Sequence, residues 1–274
     1  MKAENLVLKI INQILIIMNL FSKSLSVLAI VFIVSCSKDD PTPATTVTDK
    51  DGNVYETVTI GEQVWMAENL RTTQYNDGTP ITAIINLNEW ATQSAGAFTS
   101  YANAEGNMDA FGALYNWYAV NSNKLCPTGW HMPSSVEWKE MENYLIANGY
   151  NFDGSTDGDK TSTSKVAKAL ATSSGWSNST VPGSVGNSDY PEYQNKSGFS
   201  ALPGGYRYHD GTFNYAVFTG YWWTTSGQFT GGSLGLGEVS ISSATLTAIY
   251  NNGLAIGYHN VNPRIGASCR CVKD

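Results

Sequence analysis

The stretch 133–149 constrains the fold most, because it is the segment of this 274-residue chain with the fullest set of helix signals. Pro133 precedes it, and Ser134-x-x-Glu137 makes a capping box in which hydroxyl and carboxylate each satisfy an end N–H. Trp138, Met141 and Leu145 recur at i, i+3 and i+7, and Gly149 supplies the stop. A helix is therefore expected over 135–148, with a shorter one over 165–171. Around this centre the chain reads as strands. At the start, an Asp51-Gly52 turn leads into a strand over 54–60, a turn at Gly61-Glu62-Gln63 and a partner over 64–69. The last third offers strand-like runs at 199–202, 206–209, 221–226, 237–242, 254–258 and 267–272, separated by Gly, Asn and Ser. Segment 111–120 fits a short helix or a strand and is read as a helix, from the spacing of Leu114, Trp117 and Tyr118. Helices in the middle and strands at both ends give an α+β class with both termini in one sheet.

Composition narrows the function classes. Only 14% of residues are charged, against roughly 25% in an average globular domain, and eight are Trp. Disorder is excluded by the aromatic content, and a net charge of -7 argues against nucleic acid as a partner. Residues 51–274 run without a second linker or an internal repeat, so one domain is expected there.

The N-terminal part has a different character. Residues 25–34 are an uncharged apolar run of ten, too short to span a bilayer and of the length of a signal-peptide core. The order Ile33-Val34-Ser35-Cys36 resembles the lipobox of bacterial lipoproteins, which implies cleavage before Cys36 and acylation of its thiol and new amino group. Two or three acyl chains anchor stably, at about 0.8 kcal/mol per buried methylene. Residues 1–35 are thus expected to be a signal peptide, with translation expected to start at Met18, and 36–50 a lipidated tether. Loss of 1–35 removes Lys2, Lys9, Lys23 and Glu4 and leaves 13 basic and 22 acidic residues, a net charge of -9. The acidic Ser37-Lys38-Asp39-Asp40 looks like the export signal that carries Bacteroidota lipoproteins to the cell exterior, the alternative being a solvated spacer like the Pro/Thr stretch behind it.

Six ordered blocks then carry a resemblance. They are Val64-Trp65-Met66-Ala67-Glu68-Asn69-Leu70, Leu114-Tyr115-Asn116-Trp117-Tyr118, Cys126-Pro127-Thr128-Gly129-Trp130-His131-Met132-Pro133, Gly198-Phe199-Ser200-Ala201-Leu202-Pro203-Gly204-Gly205-Tyr206-Arg207, Tyr221-Trp222-Trp223-Thr224-Thr225-Ser226 and Arg270-Cys271-Val272-Lys273-Asp274. Together they resemble the Fibrobacter succinogenes major paralogous domain over essentially 51–274. That family is similar, more distantly, to the C-type-lectin-like fold shared with formylglycine-generating enzymes. The resemblance implies a cell-surface lipoprotein without an established activity.

Candidate sites follow. With Cys36 carrying lipid, Cys126, Cys269 and Cys271 remain, and in a strand either of the last two could face Cys126. The family resemblance implies Cys126 to Cys271. Trp222 and Trp223 must point to opposite faces of a strand, so one could be an exposed platform for a sugar ring, with Tyr206, Arg207, His209 and Asp210 supplying hydrogen bonds; the alternative is burial of both. Asp153, Asp157 and Asp159 place three carboxylates on a Gly-bearing loop that could gather a structural Ca2+, or form a solvated turn. Gly231-Gly232-Ser233-Leu234-Gly235 matches a hydrolase pattern but lacks the helix that must follow it, and His131, His209 and His259 lack metal-ligand spacing. No cofactor is required by any motif, and no catalytic constellation can be assembled. The expected function is a non-catalytic module, lipid-anchored in the outer membrane, for a glycan or another surface ligand; the alternative is a structural or protein-interaction component of the envelope.

Overall fold

A computed structural model of the protein describes residues 46–156, 164–230 and 240–274; the leader and Cys36 lie outside them. Strand β1 (Thr46–Thr48) turns into β2 (Val54–Ile60), which pairs antiparallel with β3 (Gln63–Met66). Asp49 builds the first turn, its carboxylate accepting from the backbone N–H groups of Asp51 and Asn53, both at 2.9 Å, and from the Tyr55 hydroxyl at 2.5 Å. The second turn depends on Gly61, whose φ of +65° is left-handed and whose missing Cβ would stand 2.9 Å from the Tyr144 ring.

Next come β4 (Thr82–Ala83), α1 (Leu87–Thr92), β5 (Ala97–Thr99), α2 (Glu105–Phe111), β6 (Leu114–Tyr115) and α3 (Trp117–Val120), of which the strands make a small sheet in the order β4-β5-β6. The single helix expected over 111–120 is thus broken. Gly112 at φ +79° ends α2, Tyr115 exchanges backbone bonds with Ala267, and the Asn116 side chain caps α3 by accepting from Ala119 N–H.

After β7 (Trp130–His131) comes α4 (Ser135–Ala147), with the reciprocal Ser134–Glu137 capping box that its sequence announces. Trp138, Met141 and Leu145 are fully buried. The short α5 (Ala167–Leu170) and the hairpin β8 (Tyr206–Arg207) and β9 (Phe213–Asn214) precede a three-stranded antiparallel sheet of β10 (Thr219–Thr230), β11 (Ser240–Tyr250) and β12 (Gly257–Val261). The last strand, β13 (Val272–Lys273), lies between β3 and β7, so the sheet order β1-β2-β3-β13-β7 joins the two ends of the domain. Mixed helices and mainly antiparallel sheets give the α+β class.

The sheet β10-β11-β12 separates two cores. Trp222 faces one, with Trp65, Trp138 and Phe199, whose rings meet edge-on at centroid distances of 5.1–5.8 Å. Trp223 faces the other, with Tyr115, Trp117, Leu246 and the Cys126–Cys271 disulfide. That bond ties β13 to the segment before β7 across 145 residues, a loop long enough for an effect of about 2–5 kcal/mol on stability. Cys269 is a buried free thiol, and burial pushes its pKa well up.

Segment 199–202, expected as a strand, is irregular. Ser200 sits at φ +57°, and the carbonyls of Phe199 and Ser200 accept from the fully buried Arg270 guanidinium, the latter at 2.7 Å. Arg270 Nε donates to Asn69 Oδ1 at 2.9 Å and the guanidinium stacks 4.2 Å from the Phe199 ring centre. Burial lowers its pKa to about 9, which still leaves it charged at neutral pH. The run expected at 254–258 is shifted to β12, and β11 extends through residues the sequence reading left unassigned.

His131 locks the terminal strands. Its Nδ1 lies 2.7 Å from Asp274 Oδ1 and its Nε2 2.6 Å from Glu137 Oε1, so both nitrogens face carboxylates, as an imidazolium requires. Burial opposes the charge, but the hydrogen bonds to Glu137 and Asp274 outweigh it and raise the pKa above its usual 6.5. For Glu137, burial likewise pushes up, and bonds from Ser134 and His131 outweigh it and pull the carboxyl below its usual value.

Two outcomes follow. Arg270→Met orphans buried carbonyls and should cost about 2–4 kcal/mol in denaturant unfolding, so a loss below about 0.5 kcal/mol would contradict the reading. The His131 contribution, present in full below the unfolded-state pKa, is lost as pH rises through the raised folded value, whereas that of Glu137 is lost as pH falls. Between about pH 6 and pH 9 the wild-type unfolding free energy should therefore fall more than that of His131→Gln, by a difference of under about 1 kcal/mol because the imidazole is partly exposed; parallel profiles would refute the clamp.

Candidate functional site

The sheet face shared by Thr219, Tyr221 and Trp223 continues across β11 through Tyr250, Ala248 and Leu246, and across β12 through Gly257 and His259, as the register places them. At its Trp223 end this face is covered by core. Toward Tyr221 and Tyr250 it borders an open cleft, and the row between them holds the small residues Ala248 and Gly257. Over this opening lies the hairpin β8-β9. Alternation along β8 sends Tyr206 to the open side and Arg207 inward.

The result is a cleft of about 910 Å³ walled by Tyr101, Tyr206, Tyr215, Tyr221 and Tyr250, with Asn214, Asn251 and Asn252 among its polar groups. Tyr206 stacks on Tyr215 at 5.9 Å and 13°, and meets Tyr221 edge-on at 5.0 Å. The lip is the loop after β9, where Tyr215 and Val217 both hold left-handed backbone, φ +62° and +64°. For a β-branched residue this conformation costs of order 1–3 kcal/mol and needs support. Val217 has it: its N–H donates to Pro203 C=O at 2.9 Å and its C=O accepts from Ser177 N–H at 2.7 Å. The loop leaves Tyr215 57% and Phe218 48% exposed.

Electrically the cleft is bland. Burial raises the pKa of Tyr206, aided by neighbouring Tyr215, Tyr208 and Asp210, and burial likewise raises those of Tyr221 and Tyr250. The phenols are uncharged at neutral pH, each with an apolar face and a polar tip.

Of the ligand-binding residues expected from the sequence, Tyr206 alone lines this cleft. Trp222 and Trp223 both have no exposed surface, because the strand that carries them is covered on both faces; the expected Trp platform is corrected to a tyrosine cleft. Their indole N–H groups are also committed, to Asn69 Oδ1 at 2.8 Å and Tyr115 C=O at 2.7 Å. Arg207 is corrected too: it is fully buried, donating to the carbonyls of Gly211, Ile84, Ile85 and Asn86 and lying against the Trp90 and Phe213 rings, so it binds the chain to itself. His209 and Asp210 sit on the β8-β9 turn outside the cleft wall, where Asp210 accepts from Thr212 N–H and hydroxyl at 2.9 and 2.7 Å. Tyr215, Tyr221 and Tyr250 were not singled out by the sequence reading. For Tyr221 and Tyr250 the available signal was the choice of Tyr at strand positions where a sealed core takes Phe or Leu; Tyr215, in the loop after β9, offered none.

Asp157 and Asp159 of the expected calcium loop, and Ser233 with its flanking glycines, lie outside the described residues. Asp153 is engaged by Ser155 and by Lys165 Nζ at 2.5 Å; burial opposes, but these bonds hold its pKa down at about 2. Among the described residues no group of three His, Cys, Asp or Glu side chains could hold a metal, and no helix is long and apolar enough to cross a membrane.

A hollow of about 270 Å³ beside His131 is lined by Glu137, Cys126 and Thr225, but the histidine nitrogens face two carboxylates and Cys126 is in its disulfide. The tyrosine cleft is the better candidate site.

Comparison with known proteins bears on the family. No curated protein and no solved structure matches the chain. A family model described as the Fibrobacter succinogenes major domain matches residues 58–273, which takes in the six sequence blocks except the final Asp274. The chain belongs to the Fibrobacter succinogenes major domain family.

Proposed function

We propose that this protein is a lipid-anchored, non-catalytic module of the bacterial outer surface that binds carbohydrate in the tyrosine cleft. The observation that carries the reading is the wall of phenol rings around about 910 Å³, within the range of small-molecule sites. A pyranose ring presents C–H groups on its faces and hydroxyls at its edge. Flat tyrosine rings suit the first, and the Asn214, Asn251 and Asn252 amides, each both donor and acceptor, suit the second. The lip held in left-handed backbone favours a site formed before the ligand arrives, which lowers the ordering cost of binding.

Anchoring rests on the sequence alone, on Ser35-Cys36 and the apolar run before it. A C-type-lectin-like arrangement of the domain is part of the same proposal, supported by the sheet β1-β2-β3-β13-β7, which holds the first three strands and the last one.

The test uses the full chain in a non-sugar detergent on an array of bacterial and plant glycans. Selective binding is expected, and Tyr206→Ala should weaken it about tenfold, the equivalent of roughly 1.4 kcal/mol, with little change in Tm. Silence across the array, or binding that survives loss of Tyr206, would overturn the reading.

A further inference from the structure

Resting on that reading, we infer that the ligand is an uncharged, extended glycan of several sugar units that runs through the cleft and onto a second chamber beside it. This chamber, of about 260 Å³, shares Tyr206, Tyr221 and Tyr250 with the cleft and is closed by Leu246, His259 and Val261. Beneath it Ala248 and Gly257 face each other across β11 and β12 and put no bulk between Tyr221, Tyr250 and His259. A Cβ on Gly257 would stand 2.8 Å from His259 Nε2 and 3.4 Å from the Tyr250 ring, so one methyl group displaces His259, which walls the hollow together with Tyr250. A single sugar occupies one chamber. A chain is needed to use the three tyrosines from both sides.

The lining also states the charge. Among the described residues neither chamber is lined by Asp, Glu, Lys or Arg. The remaining titratable group is His259, whose Nε2 lies 2.8 Å from the Tyr250 hydroxyl and whose pKa burial lowers, so it is neutral at pH 7. A uronate, sulfate or phosphate brought here would lose part of its water and meet no countercharge, a penalty that disfavours it. Hydroxyls and C–H faces meet no such penalty. A neutral polysaccharide is the chemistry that the surface accepts.

The experiment titrates the full chain, in a non-sugar detergent, with ladders of two to six units (on the order of the reach that both chambers offer): gluco-, manno- and xylo-oligosaccharides as neutral probes, and oligogalacturonates as the charged one. At least one neutral ladder should gain tenfold or more in affinity from its shortest to its longest member, while the uronate ladder stays silent. Gly257→Ala should bring the long member back toward the short one and leave the short one unchanged; if that variant unfolds, Asn260→Ala at the open end of the second chamber serves instead. Equal affinity along every neutral ladder, or no effect of either variant, would overturn the extended chain while leaving carbohydrate binding intact. Uronates binding as well as neutral chains would overturn the charge selection. Failure of every ladder and of the glycan array would remove the underlying reading itself.

Discussion

The structure depends on a buried positive charge that is satisfied almost wholly by neutral acceptors. Arg270 sits fully inside, its guanidinium held by Asn69 Oδ1 and the carbonyls of Phe199 and Ser200. Asn69 receives Trp222 Nε1 on the same oxygen and donates to Phe111 C=O at 2.7 Å and Ser268 Oγ at 3.3 Å. Four of the six family blocks therefore meet at one node. The other two arrive next door, through Tyr115, which accepts from Trp223, and through Cys126, which is bonded to Cys271 beside Arg270. A guanidinium in such a place needs acceptors, and each of its three nitrogens has one; presenting the Phe199 and Ser200 carbonyls to it goes with a left-handed backbone at Ser200 instead of a strand ladder.

Arg207 repeats the device at the edge of the molecule. It gathers the carbonyls of Ile84, Ile85 and Asn86 and thereby ties the segment before α1 to β8. With Arg207 turned inward, its neighbour Tyr206 must turn outward. The cleft is thus a consequence of how the interior is satisfied, and the same alternation on β10 places Tyr221 on the open side while Trp222 goes to the core. Tyrosine is the aromatic residue that tolerates a border between core and water, and the cleft is built from it.

Much of this was legible in the residues. The helix after Pro133 was marked by its capping box and its apolar spacing, and the first hairpin by its glycine turn, because both are local signals. Less legible were the segments whose conformation is set from far away. The carbonyls of 199–200 answer to Arg270, some 70 residues later (separation 71 for Phe199). Strand β11 does alternate, Ala244, Leu246 and Ala248 against Ser243, Thr245 and Thr247, a strand signal weakened by the small residues that carry it and by the burial of Thr247 as well. The adjacent tryptophans were correctly placed on opposite faces, but nothing local reveals that both faces are covered. For the same reason the tyrosines of the cleft, drawn from 206, 215, 221 and 250, come together only in three dimensions.

A rigid scaffold, two buried guanidinium nodes and a neutral aromatic groove make recognition, rather than chemistry, the function that this geometry supports best. The most direct measurement is hydroxyl-radical footprinting of the full chain with and without a bound neutral oligosaccharide. The account predicts protection of Tyr206, Tyr215, Tyr221 and Tyr250, with no change at the exposed Tyr144 and Tyr190, which lie outside both chambers. Protection that falls elsewhere, leaving those four tyrosines as reactive as before, would contradict it.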